Sequence, residues 1–233
     1  MSTTRESAAT ATVHEEVPAP STWSRAARRS AATALVVSPL LALAAFLTAP
    51  TFEERAARLA DVARDPGPYQ LASALFIASF PFTLGAVVVK MLLARKGSPR
   101  LAWAGGVLAA AGVLGHAVVA GIELMTDAAV AGGLDVGDVV RVDAEISGAG
   151  VIVAAIMFLP FTLLGFVLLA AALWRSRAVP IGVLLLLAGL LVLDLAVDQP
   201  VAGYACLLAA HVWIAAVVLR GGYQRPRRIR SKG

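Results

Sequence analysis

The sequence has 233 residues, of which 59% are apolar and 15% are charged. In soluble domains about a quarter of the residues are charged. The charged residues of this chain are therefore too few to solvate a globular surface, and a soluble enzyme is excluded. The net charge of +5 indicates nucleic-acid binding only if the basic residues lie outside membrane-flanking loops. The single cysteine, Cys206, excludes an intramolecular disulfide, a CxxC pair and a thiolate metal cluster.

The sequence predicts an all-α integral membrane protein, a six-pass transmembrane helical bundle. Residues 1–30 are predicted to be a disordered cytoplasmic tail, since residues 1–22 are rich in Ser, Thr, Ala, Pro and Glu and have no apolar period. A membrane-spanning helix needs about 20 apolar residues. The predicted six-helix transmembrane domain covers 31–219 and consists of 31–49, 70–94, 101–125, 149–174, 181–197 and 201–219. A basic cytoplasmic tail, 220–233, completes the chain.

The distribution of basic residues predicts the orientation of the bundle. The amino tail, the 95–100 loop, the 175–180 loop and the carboxyl tail hold 15 of the 20 lysines and arginines. Because Lys and Arg stay on the cytoplasmic side during insertion, both termini are predicted to be cytoplasmic. The expected location is the cell membrane, with multiple passes. The positive net charge is therefore explained by the basic residues of the cytoplasmic segments, and nucleic acid is not an expected partner.

Two outer segments differ in their patterns. In the first, Thr51 and Glu54 form a capping-box pattern and Asp65-Pro66 ends the run, which predicts a short amphipathic helix at 52–64 on the outer membrane surface. The second segment, 126–148, is acidic and is predicted to be a loop. Its acids are too scattered for a calcium site.

A short motif occurs twice, as Pro81-Phe82-Thr83-Leu84 and, 79 residues later, as Pro160-Phe161-Thr162-Leu163. The recurrence indicates a parallel duplication of a helical hairpin. Each proline falls near mid-membrane, where it kinks its helix while the following threonine can take up a freed carbonyl. Two kinks at similar depth either open a cavity between the helices or are packing irregularities.

Ionisable groups within the hydrocarbon are costly, so each is a functional candidate. Lys90 lies one turn from the cytoplasmic end of its span and is expected to snorkel. At a rise of about 1.5 Å per residue, His116, Asp194 and Tyr204 lie roughly 20 to 22 Å from the cytoplasmic helix ends, and His211 lies roughly 12 Å from its own. The first three are therefore predicted to share one level.

Two pairs of carboxylates are spaced i, i+4: Asp194 with Asp198, and Glu123 with Asp127. Carboxylates this close disfavour each other's ionisation, so the deeper member can hold or pass a proton near neutral pH. The alternative is that Asp194 caps a helix end and Glu123 reaches the outer interface. The candidate site residues are Asp194, Glu123 and His116 as catalytic or proton-handling groups, and Tyr204, His211 and Asp198 as ligand-binding groups.

Three functions fit these residues. The first is a non-enzymatic membrane protein whose outer-half pocket binds a lipophilic or cationic small molecule or relays a proton. The second is a membrane-embedded enzyme on an isoprenoid or lipid substrate. Small multi-pass terpene cyclases are similar in size, and the resemblance implies Asp194 or Glu123 as proton donor, although the DDxxD pattern is missing and only 6% of residues are aromatic. The third is a b-type haem between His116 and His211, which a depth mismatch of about 10 Å disfavours.

The helix exit Leu173-Trp174-Arg175-Ser176-Arg177-Ala178-Val179-Pro180 resembles those of small Ala- and Leu-rich polytopic membrane proteins of high-GC actinobacteria. The resemblance covers most of the chain and implies no catalytic residues. Membrane lipid and a lipophilic small molecule are the expected partners. No cofactor and no metal is predicted.

Overall fold

The computed structural model describes residues 23–49, 54–145, 153–155, 157–193, 197 and 199–221, which are almost entirely helical and include no strand. The helices are α1 Arg25–Thr48, α2 Arg55–Arg64, α3 Gly67–Ala94, α4 Pro99–Ala131, α5 Val136–Glu145, α6 Thr162–Ser176, α7 Ile181–Leu191 and α8 Pro200–Leu219. A π-helical turn, Met157–Phe161, precedes α6. The predicted all-helical fold is confirmed.

Five helical segments are long and apolar enough to cross a membrane by length and composition. They are α1, α3, α4, α8 and the segment 153–176 that contains α6. The remaining apolar helix, α7, has 11 residues and covers only the first part of the predicted span 181–197. These helices are compatible with a multi-pass membrane protein.

Several helix ends differ from the predicted boundaries, and side-chain caps explain the starts of two of these helices. Helix α1 begins at Arg25, inside the tail predicted to be disordered, where Ser24 Oγ accepts a hydrogen bond from Ala27 N at 3.1 Å. Helix α5 forms within the acidic segment predicted to be a loop, and Asp135 Oδ1 accepts from Asp138 N at 3.1 Å. Helix α4 extends beyond both ends of the predicted span 101–125.

The predicted amphipathic helix at 52–64 is present as α2, Arg55–Arg64. The side chain of the N-cap residue, Glu54, makes no capping bond, and Thr51 lies outside the described residues. Leu59 and Val62 are fully buried within the protein. The apolar face predicted to contact the outer membrane surface therefore packs on the helical bundle instead.

Each helix packs against particular neighbours. Helix α1 lies between α3 and α8, α4 packs against α3 and α6, and α7 packs against α8. Small residues bring α4 and α6 into close contact: a Cβ atom added to Gly112 would lie 2.6 Å from Thr162 N, and one added to Gly105 would lie 2.8 Å from Leu169 N. The small residues on this face of α4 are thus the surface on which α6 packs.

The two Pro-Phe-Thr-Leu segments have different conformations. Pro81 lies within the α-helix α3, whereas Pro160 lies in the π-helical turn. Proline lacks an N–H and clashes with the carbonyl of an α-helical turn, and a π-turn relieves that clash. The duplication stays a prediction. The residues beside both prolines nevertheless contribute to one cavity.

Candidate functional site

A cavity of about 120 Å³ lies between the two proline-bearing segments, where α4 carries His116. We call it the aromatic cavity, because its walls include the rings of Phe76, Phe80, Phe158, Phe166 and Tyr204. Hydroxyl groups of Ser38, Ser79, Thr83 and Thr162 also line it. An apolar cavity of about 150 Å³ in another protein binds benzene, so this volume suits a small organic molecule.

The imidazole of His116 packs among aromatic rings. Its centroid lies 4.1 Å from that of Phe158, 4.8 Å from that of Phe76 and 5.7 Å from that of Phe80. Within the described part of the chain, its contacts are with rings, and its nitrogens make no hydrogen bond. Thr162 Oγ1 is buried and has no partner among the same residues. Both groups can therefore bind a polar atom of a ligand.

The hydroxyls on the opposite wall are already engaged. Thr83 Oγ1 donates to the Ser79 carbonyl oxygen at 2.9 Å, and Ser79 Oγ donates to the Phe76 carbonyl oxygen at 2.6 Å. Ser38 Oγ lies 2.7 Å from Thr83 Oγ1 and must donate, because the Thr83 proton is already used. Thr83 thus bonds the Ser79 carbonyl and not the Ile77 carbonyl that Pro81 leaves without a donor. Thr162 bonds neither, so the predicted capture of a freed carbonyl is not seen at either threonine.

A second volume, of about 320 Å³, adjoins the aromatic cavity. We call it the arginine pocket, because Arg58 of α2 lines it together with Glu123 of α4. Phe76 and His116 belong to the walls of both volumes. These two side chains are the partition between the aromatic cavity and the arginine pocket.

Two arginines of α2 bind two carboxylates of α4. Arg58 Nη2 donates to Asp127 Oδ2 at 2.6 Å, and Arg58 Nη1 donates to Glu123 Oε2 at 3.3 Å. Arg55 Nη1 donates to Glu123 Oε1 at 2.8 Å. The Asp127 side chain is 3% exposed, whereas that of Glu123 is 36% exposed. These charge-assisted bonds clamp α2 onto α4 over the arginine pocket.

This cluster changes the interpretation of the i, i+4 carboxylates. The sequence suggested that Glu123 and Asp127 repel each other and that the deeper acid holds a proton. In the structure Arg58 lies between them and pairs with both, so the two carboxylates face a shared cation and not only each other. The proton-handling role of Glu123 stays a prediction. Asp194 and Asp198 lie outside the described residues, and their roles stay predictions.

His116 and Tyr204, predicted to share a level, line the same cavity, whereas His211 lies elsewhere. His211 Nδ1 donates to the Leu35 carbonyl oxygen at 2.9 Å, since a carbonyl can only accept. Its Nε2 lies 3.3 Å from Lys90 Nζ, which donates to it. Both ring nitrogens are thus engaged, and the geometry does not support a haem between His211 and His116.

The expectation that Lys90 snorkels to the membrane surface is wrong. Lys90 is 1% exposed and His211 is 2% exposed. Lys90 Nζ also lies 4.4 Å from the centroid of the Phe166 ring. The amine of Lys90 has two partners within the bundle, the neutral imidazole of His211 and the face of the Phe166 ring. The side chain therefore does not need to extend to water.

Sequence reasoning missed the aromatic rings and the arginines. Five of the eight phenylalanines line the aromatic cavity or the arginine pocket, although the aromatic fraction of the chain is only 6%. Helical spacing was the available signal: Phe76 and Phe80 are i, i+4 on α3, and Arg55 and Arg58 are i, i+3 on α2. The acids that these arginines bind, Glu123 and Asp127, are spaced i, i+4 on α4.

Comparison with protein-family models, with curated proteins and with solved structures gives no match for this chain. In the described residues, no three His, Cys, Asp or Glu side chains are grouped so that they could hold a metal ion. The candidate functional site therefore consists of the aromatic cavity, the arginine pocket and the partition between them.

Proposed function

We propose that this chain is a six-pass membrane protein with cytoplasmic termini that binds a small lipophilic molecule in the aromatic cavity. One observation carries the proposal: the cavity is walled by five aromatic rings and contains two hydrogen-bonding groups, His116 and Thr162 Oγ1, without partners among the described residues. Such pockets, apolar with a few placed polar groups, are typical of small-molecule sites.

Contacts between the basic segments support the proposed topology. Arg28 Nη1 donates to the Leu219 carbonyl oxygen at 3.4 Å, so the start of α1 and the end of α8 lie together. Gly97, in the loop after α3, lies against the backbone of Ser176 at the end of α6. Basic residues thus collect beside one another at helix ends, as the positive-inside rule requires of a cytoplasmic face. In this topology α7 begins the fifth pass.

Electrostatics favours a neutral ligand over a cationic one. Aromatic rings attract cations, but Lys90 Nζ already lies over Phe166, which lines the aromatic cavity. A cation in the cavity would compete with the Lys90 amine for the Phe166 ring, and no described carboxylate lines the cavity to compensate its charge, which is costly where water is excluded.

Acid catalysis on an isoprenoid substrate is the weaker alternative. It needs a carboxyl group that is protonated and faces the cavity. The described carboxylates nearest the site, Glu123 and Asp127, are held by arginines. Binding therefore accounts for the described residues better than catalysis does.

The test uses fluorine NMR of the full chain in lipid nanodiscs with two probes, 4-fluorophenol and fluorobenzene. We expect a saturable bound signal for both and tighter binding of the phenol, because its hydroxyl bonds to His116 or Thr162. Tetramethylammonium should not compete. The double variant His116→Leu, Thr162→Val should lose the preference for the phenol.

Thr126→Val is the matched control, because the Thr126 hydroxyl bonds the Ile122 carbonyl oxygen and lines neither volume. It should leave the binding of both probes unchanged. Absence of saturable binding by either probe, or equal loss of the preference in the control, would overturn the proposal.

A further inference from the structure

The aromatic cavity and the arginine pocket adjoin and share two lining residues. Phe76 and His116 line both volumes, and their ring centroids lie 4.8 Å apart in an edge-to-face contact. Rotation of one ring to another staggered rotamer opens such a partition without backbone movement. A single molecule can therefore occupy both volumes.

The combined site is long rather than wide. Helix α4 lines its whole length, with Val113 in the aromatic cavity, His116 at the partition and Glu123 at the far end of the arginine pocket. The ten residue steps from Val113 to Glu123 span about 15 Å of helix. A compact ring fills only the cavity, whereas an extended chain fills the cavity and the pocket together.

The charges at the far end are balanced before any ligand binds. Arg55 and Arg58 face Glu123 and Asp127, so two cations meet two anions. A charged head group would leave one of these groups unpaired in a partly buried place, which is costly. A hydroxyl group can donate to the exposed carboxylate of Glu123 and accept from the guanidinium of Arg58 at the same time, so it breaks no ion pair.

We propose that the ligand is a neutral, chain-like alcohol that occupies both volumes. Its hydroxyl group binds between Arg58 and Glu123, and its apolar chain passes His116 into the aromatic cavity. This inference rests on the proposed function and names its ligand class. It makes the partition a gate through which the chain enters the cavity.

Photocrosslinking in nanodiscs tests the orientation of such a chain. Two decanol probes are used, one with a diazirine at the far end of the chain and one with the diazirine beside the hydroxyl. The first should label residues around Phe80 and Phe158, and the second should label residues around Ala120 and Glu123. Identical labelling by the two probes, or labelling confined to lipid-facing positions, would overturn the proposal.

A cavity-filling variant separates this inference from the proposed function. Ala120 lines the arginine pocket, and Ala120→Phe should lower specific decanol labelling by about tenfold or more while 4-fluorophenol still binds. Ala104→Phe is the matched control, because Ala104 is exposed on the same helix. Labelling should be unchanged there.

The head group is tested by competition against the labelled decanol. Decanol should compete better than decyl methyl ether, which cannot donate, and better than decanoate or decylamine, which carry a charge. Equal competition by all four would overturn the alcohol class. If decanol labelling survives Ala120→Phe while fluorophenol binds, the inference fails alone; if fluorophenol does not bind, the proposed function fails.

Discussion

Two buried polar regions of this bundle differ in how their polar groups are satisfied. Around Lys90 and His211, each described nitrogen has a partner: the amine contacts His211 and Phe166, and the imidazole bonds Lys90 and the Leu35 carbonyl oxygen. The half-buried imidazole of His116 packs against rings and makes no hydrogen bond among the described residues, beside two open volumes. Polar groups inside a protein normally pair, so the unpaired region has the capacity to bind a ligand.

Side-chain size explains the difference. Near Lys90 and His211, fully buried alanines such as Ala86 and Ala210 let α1, α3 and α8 pack closely. Near His116, five aromatic rings line an open volume, although α4 itself lies against the π-helical turn, where a Cβ added to Gly115 would be 2.6 Å from Phe158 N. The first region is a packed core in which His211 bonds both Lys90 and the Leu35 carbonyl oxygen, and the second contains open volume.

The largest expected effect is at His211. His211→Leu removes the acceptor of Lys90 and leaves a buried amine with only the Phe166 ring, which should destabilise the protein by about 3–5 kcal/mol. Unfolding of detergent-solubilised protein by heat or denaturant measures the loss. The double variant Lys90→Met, His211→Leu should lose less, because it leaves no buried amine, although the Leu35 carbonyl oxygen loses its donor and Pro39, four residues on, has no N–H to replace it. A double variant as unstable as the single one would contradict this role of the pair.

The next effect is at Asp127, which holds Arg58 in a buried position. Asp127→Asn removes a charge-assisted bond and should cost about 1.5–3 kcal/mol, with faster hydrogen exchange in α2. Asp138→Asn is the control, because the Asp138–Arg141 pair is exposed, at 68% and 70% of the side-chain surfaces, and exposed pairs contribute about 0–1 kcal/mol. Equal destabilisation by the two variants would argue against the clamp.

The close packing of α4 on α6 predicts a third effect. Gly112→Ala places a methyl group against the Thr162 backbone and should cost about 1–3 kcal/mol, measured by the same unfolding assay. It should also displace Thr162 from the aromatic cavity and weaken fluorophenol binding. Gly121→Ala, where a Cβ meets nothing within 4 Å, should be neutral or stabilising by up to about 1 kcal/mol.

The features of the fold that depend on long apolar runs could be predicted from the sequence. Helices α3, α4 and α8 follow from such runs, and a constant rise per residue placed His116 and Tyr204 at one level, where they line one cavity. Helical spacing likewise puts Gly105 and Gly112 on one face of α4, and that face packs on α6.

Contacts between residues far apart in the chain could not be predicted from apolar runs and helical spacing. A lysine near a helix end can either snorkel to the surface or be buried. Lys90 is buried because it bonds His211, which lies far along the chain and could not be placed beside it from the sequence. Composition counts aromatic residues without locating them, so a low aromatic fraction concealed a local cluster. The arginines of α2 fit an interfacial helix equally well until Glu123 and Asp127 are placed opposite them.

The smallest stability effect is expected at His116, and it tests the comparison most directly because the substitution is the one made at His211. His116→Leu keeps the side-chain volume and breaks no hydrogen bond of the described residues, so the free energy of unfolding should change by about 1 kcal/mol or less. The variant should still lose fluorophenol preference. If His116→Leu destabilises the protein as much as His211→Leu does, the imidazole of His116 is a structural group like that of His211, and the two regions do not differ as described.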